Sequence, residues 1–163
     1  MDVVTLGMAK AAGDQRYQRT LRYSEDIGNT AIALGTGVFT SLMPRFAVPP
    51  TTSDVLLRWA ASWQVTTAGA GSILIGPAET TAGTTPTAFT AATEISGGFT
   101  AGTWSAFYSP GAGEVNIGYS ATWREFRLFG YVGRDTSSSL AASCRASGAT
   151  PYTSKPWMRA VLG

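Results

Sequence analysis

Residues 55–65 read VLLRWAASWQV, and their alternation decides the fold class. Val55, Leu57, Trp59, Ala61, Trp63 and Val65 share one parity, while Arg58, Ser62 and Gln64 take the other. Successive side chains of an extended chain point to opposite faces, so this spacing predicts one strand with a core face and a mostly wet face. Trp59 and Trp63, on the inward parity, are expected in the core.

The stretches that follow keep the same rhythm. TTAGAG at 66–71 reads as a turn and SILIG at 72–76 as the next strand, the pair forming a hairpin with 55–65. From 77 to 93 the text is PAETTAGTTPTAFTAAT, a long exposed loop by composition, with room for a short edge strand around Phe89. GGFTAGTWSAFYS at 97–109 predicts a broken strand, and EVNIGYS at 114–120 alternates Val115, Ile117 and Tyr119 against Asn116 and Gly118. SPGAG is the turn between them. AIALG at 31–35 and FAVP at 46–49 are weaker strands, and SLAASC at 139–144 a further one.

TWREFRLFGYV at 122–132 differs from the rest. Phe126, Leu128 and Val132 lie on one parity, but Trp123, Phe129 and Tyr131 lie on the other beside Glu125 and Arg127. Both faces are partly apolar. The expectation is a central strand whose second face meets a neighbouring subunit or the N-terminal segment. The chain ends on SKPWMRAVLG, in which Trp157, Arg159 and Val161 face one way and Met158, Ala160 and Leu162 the other. A terminus of this kind is expected to pair as a final strand, with Pro156 as a rigid start.

About eight such strands, without a strong helix after residue 30, predict an all-β, two-sheet β-sandwich, jelly-roll-like in preference to immunoglobulin-like. The domain is expected over 30–163. Residues 1–29 are the one segment with a helical rhythm: Leu6, Ala9 and Gly13 fall roughly on one face and Thr5 stands where a cap would, although Gly7 and Gly13 weaken it. A helix this short needs a partner. Residues 1–29 are therefore expected to be a helical or extended arm for attachment or oligomerisation.

Composition narrows the chemistry. The 163 residues are 44% hydrophobic and 13% charged, which excludes the disordered class and fits one core-bearing domain with an appendage. Twelve basic and ten acidic residues leave a net charge of +2, too little to argue for a nucleic-acid groove. Arg124, Arg127, Arg134, Arg145 and Arg159 lie near aromatics, but Glu125 and Asp135 dilute them, and inter-subunit or solvent pairing is the expected role. No basic leader precedes an apolar core of signal-peptide length, and no apolar run reaches the roughly 18 residues a membrane span needs. A soluble chain without membrane insertion is expected.

There is no histidine, so no Ser-His-Asp or Cys-His arrangement exists, and the commonest zinc ligand is missing. The single cysteine, Cys144, reads as a small buried hydrophobe. No P-loop, CxxC or dinucleotide-binding glycine pattern occurs. Glu114 and Glu125 would serve a glycosidase if adjacent strands held them about 5 to 9.5 Å apart. Asp54 or Asp135 with backbone carbonyls is a candidate calcium site, without EF-hand spacing. The expectation is a non-enzymatic protein with no cofactor and no metal. Five tryptophans, six tyrosines and seven phenylalanines are many for a small core. Trp104, Tyr108, Trp123 and Tyr131 are the candidates to fill a subunit interface or to line a glycan-binding face.

WQVTTAGAGSILIG, TWREFRLFGYV and the closing SKPWMRAVLG together are similar to the small structural proteins and C-terminal domains of bacteriophage tails and tail fibres. In that group a jelly-roll-like sandwich commonly trimerises and ends in a strand of the type matched here by Pro156, Trp157, Met158, Arg159 and Ala160. The leader VVTLGMAKAAGDQRYQR resembles the short helical segment that precedes such domains and ends in an Arg-Tyr pair, here Arg16 and Tyr17. The resemblance implies a virion protein made in the host cytoplasm, a homotrimer in contact with other virion proteins, and in some members attachment to host cell-surface carbohydrate. Capsid decoration or a head fibre is the alternative place in the particle, and a carbohydrate-binding module the alternative class.

Overall fold

The structure, a computed structural model, describes residues 20–25, 31–81, 84–102, 111–144 and 156–163. Twelve strands account for most of them: β1 Thr20–Glu25, β2 Ile32–Ala33, β3 Thr40–Ser41, β4 Phe46–Val48, β5 Thr51–Ala60, β6 Trp63–Thr67, β7 Gly69–Glu79, β8 Thr93–Phe99, β9 Ala112–Ser120, β10 Arg124–Gly133, β11 Ala141–Cys144 and β12 Trp157–Leu162. No helix occurs among the described residues.

The strands form three sheets, which corrects the two-sheet jelly-roll expectation. One has the order β1-β12-β5-β9, a second β3-β10-β7-β8 with β4 also on β10, and a third β2-β11-β6. All ladders between strands are antiparallel, and none of the sheets closes on itself. The third sheet arises where VLLRWAASWQV breaks. Ala60 ends β5, the Ala61 amide donates to the Gly111 carbonyl at 3.1 Å, and Trp63 starts β6 against β11 instead of continuing beside β12. Alternation survives the break because both segments face one interior: Val55, Leu57, Trp59, Ala61 and Val65 are all buried, and Trp63 packs partly buried against them.

Other local expectations change with it. β6 and β7 are separated by Ala68 alone and share no ladder; β7 pairs with β10 and β8, so the hairpin expected around TTAGAG is absent. Among the described residues, none near Phe89 is in a strand. Within the 1–29 arm, Thr20–Glu25 form strand β1, while Leu6, Ala9 and Gly13, on which the helical reading rests, lie outside the described residues, as do Arg16 and Tyr17. β12 is an interior strand, bonded to β5 on one side and β1 on the other.

A single hydrophobic cluster joins the sheets. β5 and β12 contribute Val55, Leu57, Trp59, Met158 and Ala160; β10 and β7 contribute Phe126, Leu128, Val132, Ile73 and Ile75; and the third sheet adds Val65, Ala142 and Cys144. Each Val, Leu, Ile, Phe or Met side chain among these is worth about 1.5 to 3 kcal/mol when fully buried. Trp59 bridges two sheets directly, its indole N–H donating to the Ile75 carbonyl at 3.1 Å. On the second apolar face of β10 an aromatic group from the same chain packs: Phe39 lies 5.7 Å from Phe129, 5.6 Å from Tyr131 and 4.6 Å from Phe89 between ring centroids.

Candidate functional site

Strand register places two contrasting surfaces far apart. In the first sheet Thr20 pairs with Val161, Leu162 with Val55, and Val55 with Gly118, while Thr51 pairs with Ser120. The start of β1, the end of β12 and the end of β9 therefore share one end of the molecule. The Gly163 amide closes that end by donating to the Asp54 carbonyl at 2.8 Å. The 121–123 connection leaves from here, and the most exposed aromatics described lie at its two sides: Tyr119, near the end of β9, is 70% and Trp123 66% exposed. Exposure of a whole indole is informative because tryptophan is highly buried on average.

Gly118 explains why Tyr119 departs from the inward parity expected for it. Its φ of 68° lies in the left-handed region, and the β5–β9 register shifts between Thr51 and Val55. The irregularity rotates the following side chain away from the core. The sequence pattern alone counts Tyr119 with Val115 and Ile117.

Arg124 locks the start of β10 to this end. Its guanidinium donates to both oxygens of Glu79 at 2.7 Å, to the Ile117 carbonyl, and lies 5.0 Å from the Phe126 ring centroid. The hydrogen bond from Arg124 holds the Glu79 carboxyl below its ordinary range despite an opposing push from burial. Glu79 in turn raises the Arg124 pKa.

Nine residue steps of roughly 3.3 Å carry β10 about 30 Å from that lock to Gly133. There the outer face of the second sheet becomes concave. Tyr131 pairs with Leu74, which pairs with Glu94; Gly133 pairs with Ser72, which pairs with Ser96. Residues two apart share a face, so all six lie on one surface. Gly133, which has no side chain, and the small Ser72 and Ala70 form a floor between taller walls. Tyr131 and Glu94 stand on one side, and the Arg134–Asp135 segment with Ser137 and Ser138 on the other, enclosing an open cleft of about 530 Å³.

Short bonds hold these walls. Ser96 Oγ–H donates to Glu94 Oε1 at 2.9 Å, and Arg134 Nη1–H donates to the Leu140 carbonyl at 2.7 Å. The Ser138 amide donates to the Asp135 carbonyl at 3.0 Å, and its hydroxyl to the Ala70 carbonyl at 2.6 Å. A cleft with one aromatic wall, two carboxylates and a guanidinium offers an apolar plane beside directional donors and acceptors.

The residues singled out from sequence divide accordingly. Tyr131 is in the cleft, Trp123 is at the opposite end, and Trp104 and Tyr108 lie outside the described residues. Met158 and Val161 are buried in β12, while Trp157, Arg159 and Leu162 are half-buried. Glu114 and Glu125 do not meet: β9 and β10 belong to different sheets, Glu114 pairs with Arg58, and Glu125 pairs with Arg45 and lies 3.9 Å from Arg127. Asp54 accepts from Asn116 at 3.1 Å, Asp135 lines the cleft, and no cluster of three metal-ligating side chains occurs among the described residues. Arg124, Arg127 and Arg134 each have a partner within the chain, Arg159 is engaged as well, and Arg145 lies outside the described residues. No helix of the described residues is long and apolar enough to cross a membrane.

Sequence reasoning missed Glu94, Ser96 and Ser72 as partners of Tyr131. The signal is the register of β7 against β8, which no single strand contains. Neither the family models nor the curated proteins searched match this chain.

Proposed function

We propose that the protein is a structural component of a bacteriophage virion, in the tail or a tail fibre, joined to the particle at the Thr20 end and binding the host surface through the Tyr131 cleft. The observation that carries this reading is the separation of the two surfaces. The first described strand, the final residue and the exposed Tyr119 and Trp123 lie together, and the polar cleft lies about 30 Å along β10 from them. A module held at one end and displaying a recognition surface at the other has this layout. The resemblance of the leader and of Pro156–Trp157–Met158–Arg159–Ala160 to tail proteins supports the viral setting, and it supports a homotrimer as the assembled form.

Aromatic side chains in water suit assembly contacts, because interfaces are enriched in them relative to the remaining surface. The second face of β10 argues less for oligomerisation than its sequence does, since Phe39 of the same chain packs on Phe129 and Tyr131, with Phe89 against Phe39. The assembly contact is therefore assigned to Tyr119 and Trp123.

Peptide mass spectrometry of gradient-purified particles tests the structural assignment directly. Recovery at the copy number of a tail component is expected, and absence from the particle refutes it. Light scattering of the full chain tests the trimer. A monomeric mass at micromolar concentration removes it, and Y119A/W123A is expected to lower the assembled fraction.

A further inference from the structure

We infer that the cleft selects saccharides without anionic groups, a selectivity that rests on the surface-binding role proposed above. The Tyr131 ring supplies one wall, with its other side against Phe39 at 5.6 Å between centroids. Sugar rings carry an apolar C–H face and a rim of hydroxyl donors and acceptors. An aromatic wall beside carboxylates matches both parts of that surface.

Charge then divides sugars into two groups. Glu94 and Asp135 place two carboxylates on the lining, against the single guanidinium of Arg134. Arg134 is partly committed, since Nη1–H donates to the Leu140 carbonyl. Carboxylates accept and cannot donate, so they pair with hydroxyl, amide or ammonium hydrogens of a ligand. A uronate or phosphate-bearing sugar meets two like charges with one partly used cation to offset them. Juxtaposed like charges are an effective means of rejecting the wrong partner.

The walls are also set before a ligand arrives. Ser96 orients Glu94, and the Asp135–Ser138 segment is tied to its own backbone and to Ala70. The backbone that carries Asp135 is thus positioned before binding, and the Glu94 carboxylate has one bond that favours its observed orientation, which lowers the ordering cost of binding.

Calorimetry on the full-length protein at neutral pH tests this with three probes: a neutral glucan oligosaccharide, a chitosan oligosaccharide and a polyuronate oligosaccharide of matched length. Binding of the neutral or amine-bearing probe at least tenfold tighter than the polyuronate is expected. The E94Q/D135N variant should narrow that ratio to within about threefold by improving polyuronate binding, and Tyr131→Phe should retain the neutral probe. Polyuronate bound as tightly as the neutral sugar by the unaltered protein overturns the selectivity and leaves the surface-binding role standing. Failure of all three probes overturns the selectivity; bacterial-cell pull-down then decides the role itself, since loss of cell binding as well removes it. A ratio unchanged in E94Q/D135N, with far-ultraviolet circular dichroism unchanged, also overturns the charge argument.

Discussion

Replacing Trp59 by phenylalanine tests whether the sheets are clamped across a shared interior. Trp59 is 2% exposed, its N–H reaches the Ile75 carbonyl in the second sheet, and Gly113 leaves room for its ring. A Cβ at position 113 would stand 2.3 Å from Trp59 Cζ2, so the ring and the β9 backbone are in close contact. Loss of the hydrogen bond costs about 1 kcal/mol. Shrinking indole to phenyl opens roughly 40 Å³, worth about 1 kcal/mol at 24 cal/mol per Å³, and the lost apolar transfer adds up to about 1 kcal/mol more. The expected loss is about 2 to 3 kcal/mol, or roughly 4 to 12 °C in Tm for a chain of this length. Trp123→Phe is the internal control: that side chain is 66% exposed, and its change should stay within about 0.5 kcal/mol. Urea unfolding followed by far-ultraviolet circular dichroism measures both. If the two variants are equally stable, Trp59 does not join the sheets and the interior described above is wrong.

Acid should weaken the Arg124 lock. The Glu79 carboxyl is held below its ordinary range by the Arg124 hydrogen bond, so its stabilisation is present above the unfolded glutamate pKa and is lost as pH falls through the lower folded value. Glu79 is 45% exposed, so Glu79→Gln should cost only about 0.5 to 1 kcal/mol at pH 7 and nothing once the carboxyl is protonated, as read from urea midpoints across pH. Burial pushes the Cys144 thiol up to about 12, so a thiol reagent at pH 8 should label the native chain only through unfolding and the denatured chain within minutes; rapid native labelling would contradict its burial. Gly118→Ala at φ 68° should cost about 1 kcal/mol, and no loss of thermal stability would show that the β9 irregularity is not imposed there. Amides of Trp157–Leu162, between β1 and β5, should exchange slowly in hydrogen-exchange mass spectrometry, and exchange as fast as in the 84–92 loop would contradict the interior placement of β12.

The all-β class and the core parity of residues 55–65 are legible in the sequence because alternation reports which side chains face the interior. The same alternation hides the sheet count. Val55, Leu57, Trp59, Ala61 and Val65 face one core whether the chain continues straight or crosses to another sheet after Ala60, so the parity is identical in both cases. In β1 only Leu21 and Tyr23 alternate against Arg22 and Ser24, too short a run to mark a strand, and its partner β12 is the far end of the chain, a pairing that neither segment shows alone. The second face of β10 was legible as apolar, but its cover was not. Phe39 and Phe89 come from short turns and a loop, where no periodicity announces what a side chain will touch.

The position of the cleft follows from where that cover stops. On the outer parity of β10, Phe129 and Tyr131 lie against Phe39, but Gly133 offers no ring to continue the stack. Its row partners, Ser72 and Ser96, are small and polar, so the face loses both height and apolarity within two residues. Tyr131 stands at that boundary, with one side on the aromatic cluster and the other on the open floor. The inner parity meanwhile continues unbroken through Val132 into the core. One strand thus carries its apolar outer face as far as Tyr131 and a small, polar face beyond it, and this is why the residue with an ambiguous apolar pattern in the sequence also lines the cleft.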